Sequence, residues 1–345
     1  MKMKKYLAIL VALTMTFGLV SALAEGDPYA DLGTYEMVIG HAQPETNPRD
    51  ISLQKFKADV EEQTNGHVTV TIYNNGQLGN EKEMLEQVMY GTIQGMRGGH
   101  FDFSPCLVIF TAPFLTQNRE EIEALLHSDL SDEICAEAGE LTNCVILNVC
   151  DAAGYRQFSN NVHPITCPDD LVGLKMRVAP SITTIAWTFE ALGASTVSIA
   201  YADLYMSLKT GVADGQENPW LNITSMKFYE VQKYFTEVNY QFHPDPFFVN
   251  VDWWNELPEE FQTILQACAT DMGIYNDELV DENQNAALQT IIDYGCEVYV
   301  PTSEELQLFV DACQPVYQQM IDEGICTQEQ MDRMFEIIEE VRAGE

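Results

Sequence analysis

The chain reads LYMSLKTGVADGQENP at residues 204–219, and the fold can be worked out from this stretch outward. Its first half, together with the two residues before it, predicts a helix over residues 202–210 with its apolar side chains on one face. Asp214-Gly215 then predicts a turn. We expect Asn218 in a loop just after that turn, between this helix and another over residues 224–235. The stretch therefore indicates helices linked by tight polar connections.

Strand and helix patterns alternate on both sides of this stretch. Further strands are predicted at residues 35–40, 67–73, 107–110, 143–149, 154–158, 174–178 and 195–199. Helical patterns fall between them, including one from Asn47-Pro48 with Asn as its cap. A long helical pattern covers residues 258–294, with Gly273 as a candidate break. Such alternation favours an α/β fold with largely parallel sheets.

The length of the chain favours two compact units. Its 345 residues exceed what one hydrophobic core usually organises. Hydrophobic residues make up 46%, which is typical of globular proteins and not of disordered chains. Because no linker rich in Pro, Gly or Ser separates two halves, we expect two lobes joined by short crossings.

The first 24 residues have the pattern of a secretory signal peptide. Three lysines within the first five residues precede an apolar run over residues 6–20. Ser-Ala-Leu-Ala at residues 21–24 then supplies small residues at a cleavage site. We predict export to the periplasm and cleavage after Ala24. The alternative is an uncleaved anchor helix, because the apolar run is nearly long enough to span a bilayer.

The chain is strongly acidic. It has 53 Asp and Glu against 17 Lys and Arg, a net charge of −36, and loss of the leader with its three lysines would make this −39. Such a surface does not neutralise phosphates, so we predict no nucleic acid partner. It also repels anionic lipid headgroups. An anionic ligand would need local cations to overcome this background.

The sequence carries no signature of catalysis, cofactor binding or metal binding. No GxGxxG, P-loop or GxSxG motif is present, and no pair of cysteines and histidines has zinc spacing. The nine cysteines are interpreted as small buried hydrophobes, with or without one or two disulfide bridges. We therefore predict that the chain is not an enzyme and uses no cofactor or metal.

A series of different short motifs extends along nearly the whole chain after the leader. They are Gln77-Leu78-Gly79, Pro113-Phe114-Leu115, the run from Asp170 to Val178, Leu192 to Ser195, residues 205–219 and Leu257-Pro258. Together they resemble the solute receptors of TRAP (tripartite ATP-independent periplasmic) transporters, of the dicarboxylate-receptor (DctP) type. The run from Asp170 to Val178 and the run from Asp214 to Pro219 are the most specific.

The resemblance implies a two-lobed, periplasmic-binding-protein-like α/β fold. One lobe would take residues 29–152 and 244–283, and the other residues 153–243 and 284–345. The ligand would lie in the cleft between the lobes, at the carboxyl ends of the strands. The long helix would brace both lobes, and the lobes would close around the ligand by a hinge motion.

The resemblance also implies which arginine binds the ligand. Arg177 lies in the strand pattern Leu-Lys-Met-Arg-Val, on the opposite face of the strand from Met176 and Val178. A planar guanidinium can hold a carboxylate with two parallel hydrogen bonds. It matches the arginine that clamps the ligand carboxylate in the family. Arg156 matches a second arginine of the site. The alternatives are a structural ion pair for Arg177 and a hinge salt bridge for Arg156.

Four further residues are candidates for ligand binding. Asn218 matches an asparagine that contacts the ligand in the family, and loop capping is its alternative. Tyr201 stands where some relatives place an aromatic ring against the ligand, and core packing is its alternative. Glu81 and Asp245 fall near positions that face the pocket in relatives, where an acid would suit a ligand with hydroxyl or amine groups. Both could instead be surface acids.

The implied function is that of an extracytoplasmic receptor. It would capture a small organic acid and deliver it to TRAP membrane permease subunits, and we expect it to act as a monomer. One alternative is a sensor that presents the ligand to a signalling receptor, and another is a receptor for an ATP-driven importer. A transporter role requires two multi-span membrane proteins encoded alongside.

Overall fold

The structure is a computed structural model that describes residues 27–344. The predicted signal peptide and its cleavage site lie outside the described residues. The strands are β1 (Tyr35–Gly40), β2 (Val68–Tyr73), β3 (Gly95–Arg97), β4 (Cys144–Asp151), β5 (Arg156–Asn160), β6 (Lys175–Val178), β7 (Ser195–Ser198), β8 (Gly215–Pro219), β9 (Tyr234–Thr236), β10 (Pro244–Asn250) and β11 (Glu297–Tyr299). The helices are α1 (Pro48–Gln63), α2 (Glu81–Met89), α3 (Arg119–Leu126), α4 (Asp129–Thr142), α5 (Thr183–Ala191), α6 (Leu204–Lys209), α7 (Trp220–Ser225), α8 (Val251–Glu256), α9 (Glu259–Tyr294), α10 (Ser303–Asp322) and α11 (Gln328–Ala343).

The strands form two separate sheets. The first sheet has the order β2-β1-β3-β10-β4, and the second has the order β11-β9-β5-β8-β6-β7. Both are mixed, because β10 runs antiparallel to β3 and β4, and β5 runs antiparallel to β8 and β9. The expectation of largely parallel sheets is therefore only partly met. The two antiparallel strands are those by which the chain enters the second sheet and returns to the first.

The longest helix packs on both sheets. It is continuous through Gly273, and its 36 residues span about 54 Å at 1.5 Å per residue. Its first half buries Phe261, Leu265 and Met272 in a core with strands of the first sheet. Its second half buries Val280 and Ile291 in a core beneath the second sheet. This agrees with the predicted brace across a two-lobed α/β fold.

Local sequence signals fixed the helix starts correctly. The side chain of Asn47 accepts a hydrogen bond from the backbone N–H of Arg49 at 3.0 Å and caps α1. Asn80 and Glu83 form a reciprocal capping box at the start of α2, which fixes where Glu81 lies. Such caps depend only on neighbours in the chain, so the sequence shows them.

Two predicted elements are wrong. Residues 224–235 were expected to form one helix, but α7 ends at Ser225 and the chain enters β9 at Tyr234. Lys227 adopts a positive φ of 57°, which breaks the helix, and Phe228 and Phe235 are buried from a short 3₁₀ turn and from β9. Residues 107–110 were expected to form a strand, but they lie in a short 3₁₀ helix over Pro105–Thr111. A short apolar run does not by itself distinguish these states.

The cysteines are reduced in this structure. All nine lie within the described residues, none takes part in a disulfide, and six of them are buried. Burial raises the pKa of Cys150 and Cys313 to about 12, which keeps both thiols protonated. No helix within residues 27–344 combines the length and the apolar character needed to cross a membrane.

Candidate functional site

The topology brings the ends of several distant strands to one place. In the second sheet, Arg177 and Asn218 lie near the carboxyl ends of the parallel strands β6 and β8. Arg156 begins the antiparallel β5 and therefore lies at the same edge, opposite Pro219. In the first sheet, the corresponding edge contains Gly99, just after β3, and Ala152, just after β4. Carboxyl ends of strands are where α/β sheets bind ligands.

These two edges enclose a polar cavity. Its volume is about 50 Å³, and it leads into an outer cleft of about 580 Å³ that shares Glu81, Gly99, Arg177, Ala179 and Tyr201 with it. The side chains and backbone that line the cavity are those of Gln43, Arg49, Glu81, Gly99, Ala152, Arg156, Arg177, Ala179, Ile182, Tyr201, Asn218, Asn222 and His243. Five of the six candidate ligand-binding residues thus come together, and Asp245 is the one that does not line the cavity.

Arg177 is a buried cation without a carboxylate partner. The residue is 2% exposed, and its Nε donates a hydrogen bond of 2.9 Å to the carbonyl of Ile199. Every other buried arginine within residues 27–344 forms an ion pair, whereas Arg177 forms none. Burial, reinforced by repulsion from Arg156, lowers the pKa of Arg177 to about 10, although Glu217 acts in the opposite direction. The guanidinium is still charged at neutral pH.

Arg156 is already neutralised by Glu217. Its Nε and NH2 groups both donate to the Glu217 carboxylate, the latter at 2.9 Å. Burial opposes the charge of Arg156, but Glu217 outweighs it and raises the pKa of Arg156 above its usual value. The hydroxyl of Tyr240 donates a further hydrogen bond of 2.7 Å to Glu217. Arg156 therefore faces the cavity with its charge already compensated by Glu217. This ion pair joins β5 and β8 of the second sheet.

Asn218 lies on β8, not in the loop that was expected. It pairs with Gln157 of β5, because the run from Gly215 to Pro219 extends between two neighbouring strands. Its Oδ1 accepts a hydrogen bond of 3.2 Å from Arg156, and its Nδ2 donates to Gln216. These bonds fix the orientation of the amide at the cavity wall.

Asp245 lies behind the cavity wall and is fully buried. Its Oδ1 is 2.9 Å from NH2 of Arg49, and its Oδ2 is 2.9 Å from Nε of Arg97. Arg49 also reaches Oε1 of Glu81 at 3.2 Å. Asp245 and Glu81 raise the pKa of Arg49, against the opposing effect of burial. Two arginines and two carboxylates thus compensate each other on the side of the first sheet.

Amide and hydroxyl groups connect the two sides of the cleft. Nδ2 of Asn47 donates to Oδ1 of Asn222 at 3.2 Å, and Nε2 of Gln43 reaches the same oxygen at 3.4 Å. The hydroxyl of Tyr201 donates to Oε1 of Gln43 at 3.4 Å. Burial raises the pKa of Tyr201, so the hydroxyl stays protonated. The two lobes are therefore in contact around the cavity.

His243 adds a neutral ring to the first-sheet side of the cavity. Burial, with repulsion from Arg156 and Arg49, holds the pKa of His243 well below its ordinary value. Its Nδ1 is buried and has no hydrogen-bond partner among the described residues. Gly99 packs so closely that a Cβ there would fall 1.8 Å from Nε2 of His243, so only glycine fits. Because a neutral imidazole has one acceptor nitrogen, this ring can bind a ligand hydroxyl.

Several lining residues are not indicated by the sequence. Arg49, Gln43, Asn222 and His243 were missed. Arg49 follows a helix cap, where polar side chains are usually exposed, so its burial could not be predicted from the sequence. The amides of Gln43 and Asn222 are 179 residues apart in the chain, and only the two-sheet arrangement brings them together.

A polar cavity between two α/β units that share a bracing helix defines a two-lobed solute-binding protein. Comparison with known proteins gives the family. The chain belongs to the DctP family of bacterial extracellular solute-binding proteins (family 7), whose model matches residues 39–323. The resemblance inferred from the motifs is thereby confirmed. The family consists of transport receptors that act outside the cytoplasm, not of enzymes.

Individual relatives cover most of the chain. It is 30% identical over 289 residues to the C4-dicarboxylate-binding periplasmic protein DctP of Rhodobacter capsulatus, which is 82% of this chain and 85% of that protein. It is 28% identical over 302 residues to the 2,3-diketo-L-gulonate-binding periplasmic protein YiaO of Escherichia coli, which is 87% of this chain and 90% of that protein. A TRAP periplasmic solute-binding protein from Desulfovibrio salexigens, solved with bound orotic acid, superposes with a TM-score of 0.84 at 29% identity. That superposition covers 89% of this chain and all of the other.

Proposed function

We propose that this receptor captures a small organic acid, that Arg177 binds the acid's carboxylate, and that the loaded receptor delivers it to TRAP membrane permease subunits. The observation that carries the proposal is the burial of Arg177 without a carboxylate partner in the wall of a cavity between the two sheets. A desolvated charge without a counter-ion is costly in a protein interior. An anionic ligand would supply the missing partner.

Arg156 and Asn218 would assist from neighbouring positions. Both line the same cavity and are hydrogen-bonded to each other. Because Glu217 already compensates Arg156, its contribution to a carboxylate is a directed hydrogen bond more than a net charge. Tyr201 and Glu81 would contact the rest of the ligand, whereas Asp245 would act through Arg49, which it holds in place.

Ligand binding would stabilise the closed arrangement of the lobes. The proposed lobes comprise residues 29–152 with 244–283 and residues 153–243 with 284–345. The bonds from Asn47 and Gln43 to Asn222 cross the cleft only when the lobes are in contact. A ligand that also touches both sides binds the closed state more tightly and shifts the population toward it. A permease could then distinguish loaded from empty receptor by shape.

The relatives support an acid as the ligand. The names of the two curated relatives specify a C4-dicarboxylate and 2,3-diketo-L-gulonate, and the Desulfovibrio salexigens structure holds orotic acid. These compounds share a carboxylate but differ in the rest of the molecule. This is the pattern expected if one arginine binds the common group and the remaining lining residues select the ligand.

The test is a ligand screen on the exported protein, unfolded and refolded to remove any bound compound. Thermal shift and calorimetry with a panel of organic acids should reveal at least one that stabilises the protein. A ligand at 100 times its Kd adds about 2.7 kcal/mol to the free energy of unfolding. The matched controls are the corresponding primary amides and alcohols, which lack the carboxylate. Equal binding of a neutral analogue and its acid would contradict the proposal.

A further inference from the structure

The charges around the cavity specify more than the presence of an acid. We propose that this receptor selects acids that carry a single carboxylate and several hydroxyl groups, and that Glu81 excludes a second carboxylate. This inference rests on the proposed function, because it assumes that Arg177 binds the ligand carboxylate. It concerns the opposite end of the same ligand.

The charges at the site do not cancel. We count the side chains that line the cavity together with every side chain that is joined to them, directly or through a shared partner, by ion pairs. The positive groups are Arg49, Arg97, Arg156 and Arg177, and the negative groups are Glu81, Glu217 and Asp245. Four guanidinium groups thus face three carboxylates, and a single positive charge remains uncompensated.

The uncompensated positive charge lies on Arg177. Arg156 is held by Glu217, Arg97 by Asp245, and Arg49 by both Asp245 and Glu81. Only Arg177 is left, on the second sheet. Lys82 lines the outer cleft but lies 3.5 Å from Asp102, which compensates it. A second ligand carboxylate would therefore find no further buried cation that lacks a carboxylate partner among the described residues around the cavity.

The wall opposite Arg177 carries groups that can accept hydrogen bonds. Glu81 lines both the cavity and the outer cleft, and only its Oε1 has a hydrogen-bond partner, so Oε2 is free to accept. His243 lines the cavity and is 7% exposed, and its buried, unpartnered Nδ1 can accept from a hydroxyl in the neutral ring. The amide of Gln43 belongs to this side, and the amide of Asn222 reaches it from the other side of the cleft. These groups match hydroxyls, which both donate and accept.

A second carboxylate on this side would be unfavourable for two reasons. It would place a negative charge beside Glu81, and like charges brought together at a binding site weaken binding by several kcal/mol, which is at least about 100-fold in affinity. It would also leave the acceptor atoms of Glu81 and His243 without donors. The inference sets this chain apart from its Rhodobacter capsulatus relative, whose name specifies a C4-dicarboxylate.

Glu81 is held where it can exert this selection. It is the first residue of α2, whose capping box fixes the start of the helix, and Arg49 holds its Oε1 at 3.2 Å. Arg49 cannot move to a second ligand carboxylate without breaking its ion pair with Asp245. Asp245 is fully buried and would then be paired with Arg97 alone. Breaking a buried ion pair in this way is strongly unfavourable.

The test compares acids that share a carbon skeleton and differ only in one terminal group. The pairs are D-glycerate and tartronate, L-threonate and L-tartrate, and D-galactonate and galactarate, measured by calorimetry on refolded protein. In a pair that binds, we expect the monocarboxylate to bind at least 100-fold more tightly than the dicarboxylate. A dicarboxylate that binds within tenfold of its partner, or more tightly, would overturn the inference.

A variant separates the role of Glu81 from the rest of the site. Glu81→Gln keeps the size of the side chain and removes its charge, and it should reduce the discrimination within a pair by at least tenfold. Glu86→Gln changes the same charge on the same helix away from the cavity, and it should leave the discrimination unchanged. An unchanged ratio in Glu81→Gln would show that Glu81 does not exclude the second carboxylate.

A second measurement decides the question without a panel. The compound that co-purifies with the exported protein is released and methyl-esterified, and its mass gives the number of carboxyl groups. One esterified group supports the inference, and two overturn it while leaving the proposed function intact. A neutral compound would contradict the proposed function itself.

Discussion

Replacement of Arg177 by alanine should abolish tight ligand binding without destabilising the empty protein. A hydrogen bond to a charged group contributes about 1.5–3 kcal/mol, and truncating one member of a buried charge pair costs about 2–5 kcal/mol. Binding should therefore weaken by roughly 30-fold to several-thousand-fold, at 1.4 kcal/mol per tenfold. Calorimetry with an acid identified in the screen measures the effect.

The stability of the ligand-free protein distinguishes the two roles. Loss of a structural arginine would destabilise the ligand-free protein, whereas loss of Arg177 should not. Burial lowers the pKa of Arg177 from 12.5 to about 10, so the charged form is less favourable in the folded than in the unfolded protein. At 1.36 kcal/mol per pKa unit, this shift corresponds to an unfavourable contribution of roughly 3 kcal/mol at neutral pH. Its removal should offset the lost bond to Ile199 and the lost packing, so the Tm of ligand-free Arg177→Ala should stay within a few degrees of the parent or rise.

Two control variants sharpen this prediction. Arg177→Lys keeps a charge but loses the planar, two-pronged geometry, so it should bind more weakly than the parent and more tightly than Arg177→Ala. Arg333→Ala removes a surface arginine that pairs with Glu133, and it should bind as the parent does. If Arg177→Ala binds within about threefold of the parent, or if its ligand-free Tm falls sharply, Arg177 is a structural arginine and the reasoning is wrong.

The other predictions concern export, metals and pH. The exported protein should begin at or near Glu25, which intact mass determines, and a mass that retains the leader in the membrane fraction would contradict cleavage. Ligand affinity should be unchanged after exhaustive chelation, because no group of three or more His, Cys, Asp or Glu within residues 27–344 is arranged to hold a metal; binding that is lost and then restored by Ca²⁺ or Zn²⁺ would count against this. Burial, with repulsion from Asp151, raises the pKa of Asp277 from 3.8 to about 6, so its contribution to stability should fall as the pH rises through this window. Asp277→Asn should therefore gain Tm over the parent at pH 7 but much less at pH 4, and an equal difference at both pH values would refute the assignment.

Local sequence patterns predicted most of the elements, because they depend on neighbours in the chain. The cap at Asn47, the capping box at Asn80 and the long helix over residues 259–294 all follow from short-range rules. The error at residues 107–110 arose in a short apolar segment that is buried throughout, and the error at residues 224–235 arose where only part of the segment, including Phe228 and Phe235, is anchored in the core. There the tertiary core decides the backbone conformation, not the local periodicity.

The sequence by itself determined the family and the α/β class, because motif order and periodicity are visible in the chain, and it singled out Arg177 as the candidate cation for the ligand. The tertiary structure alone decided which charges are available. Arg177 and Arg156 both lie in predicted strands, yet Glu217 forms an ion pair only with Arg156. Asp245 is hidden behind the wall between Arg49 and Arg97, although it lies almost 150 residues or more from both. Ion pairing depends on distances of a few ångströms between side chains, and only the packing of two sheets around a common cavity sets those distances.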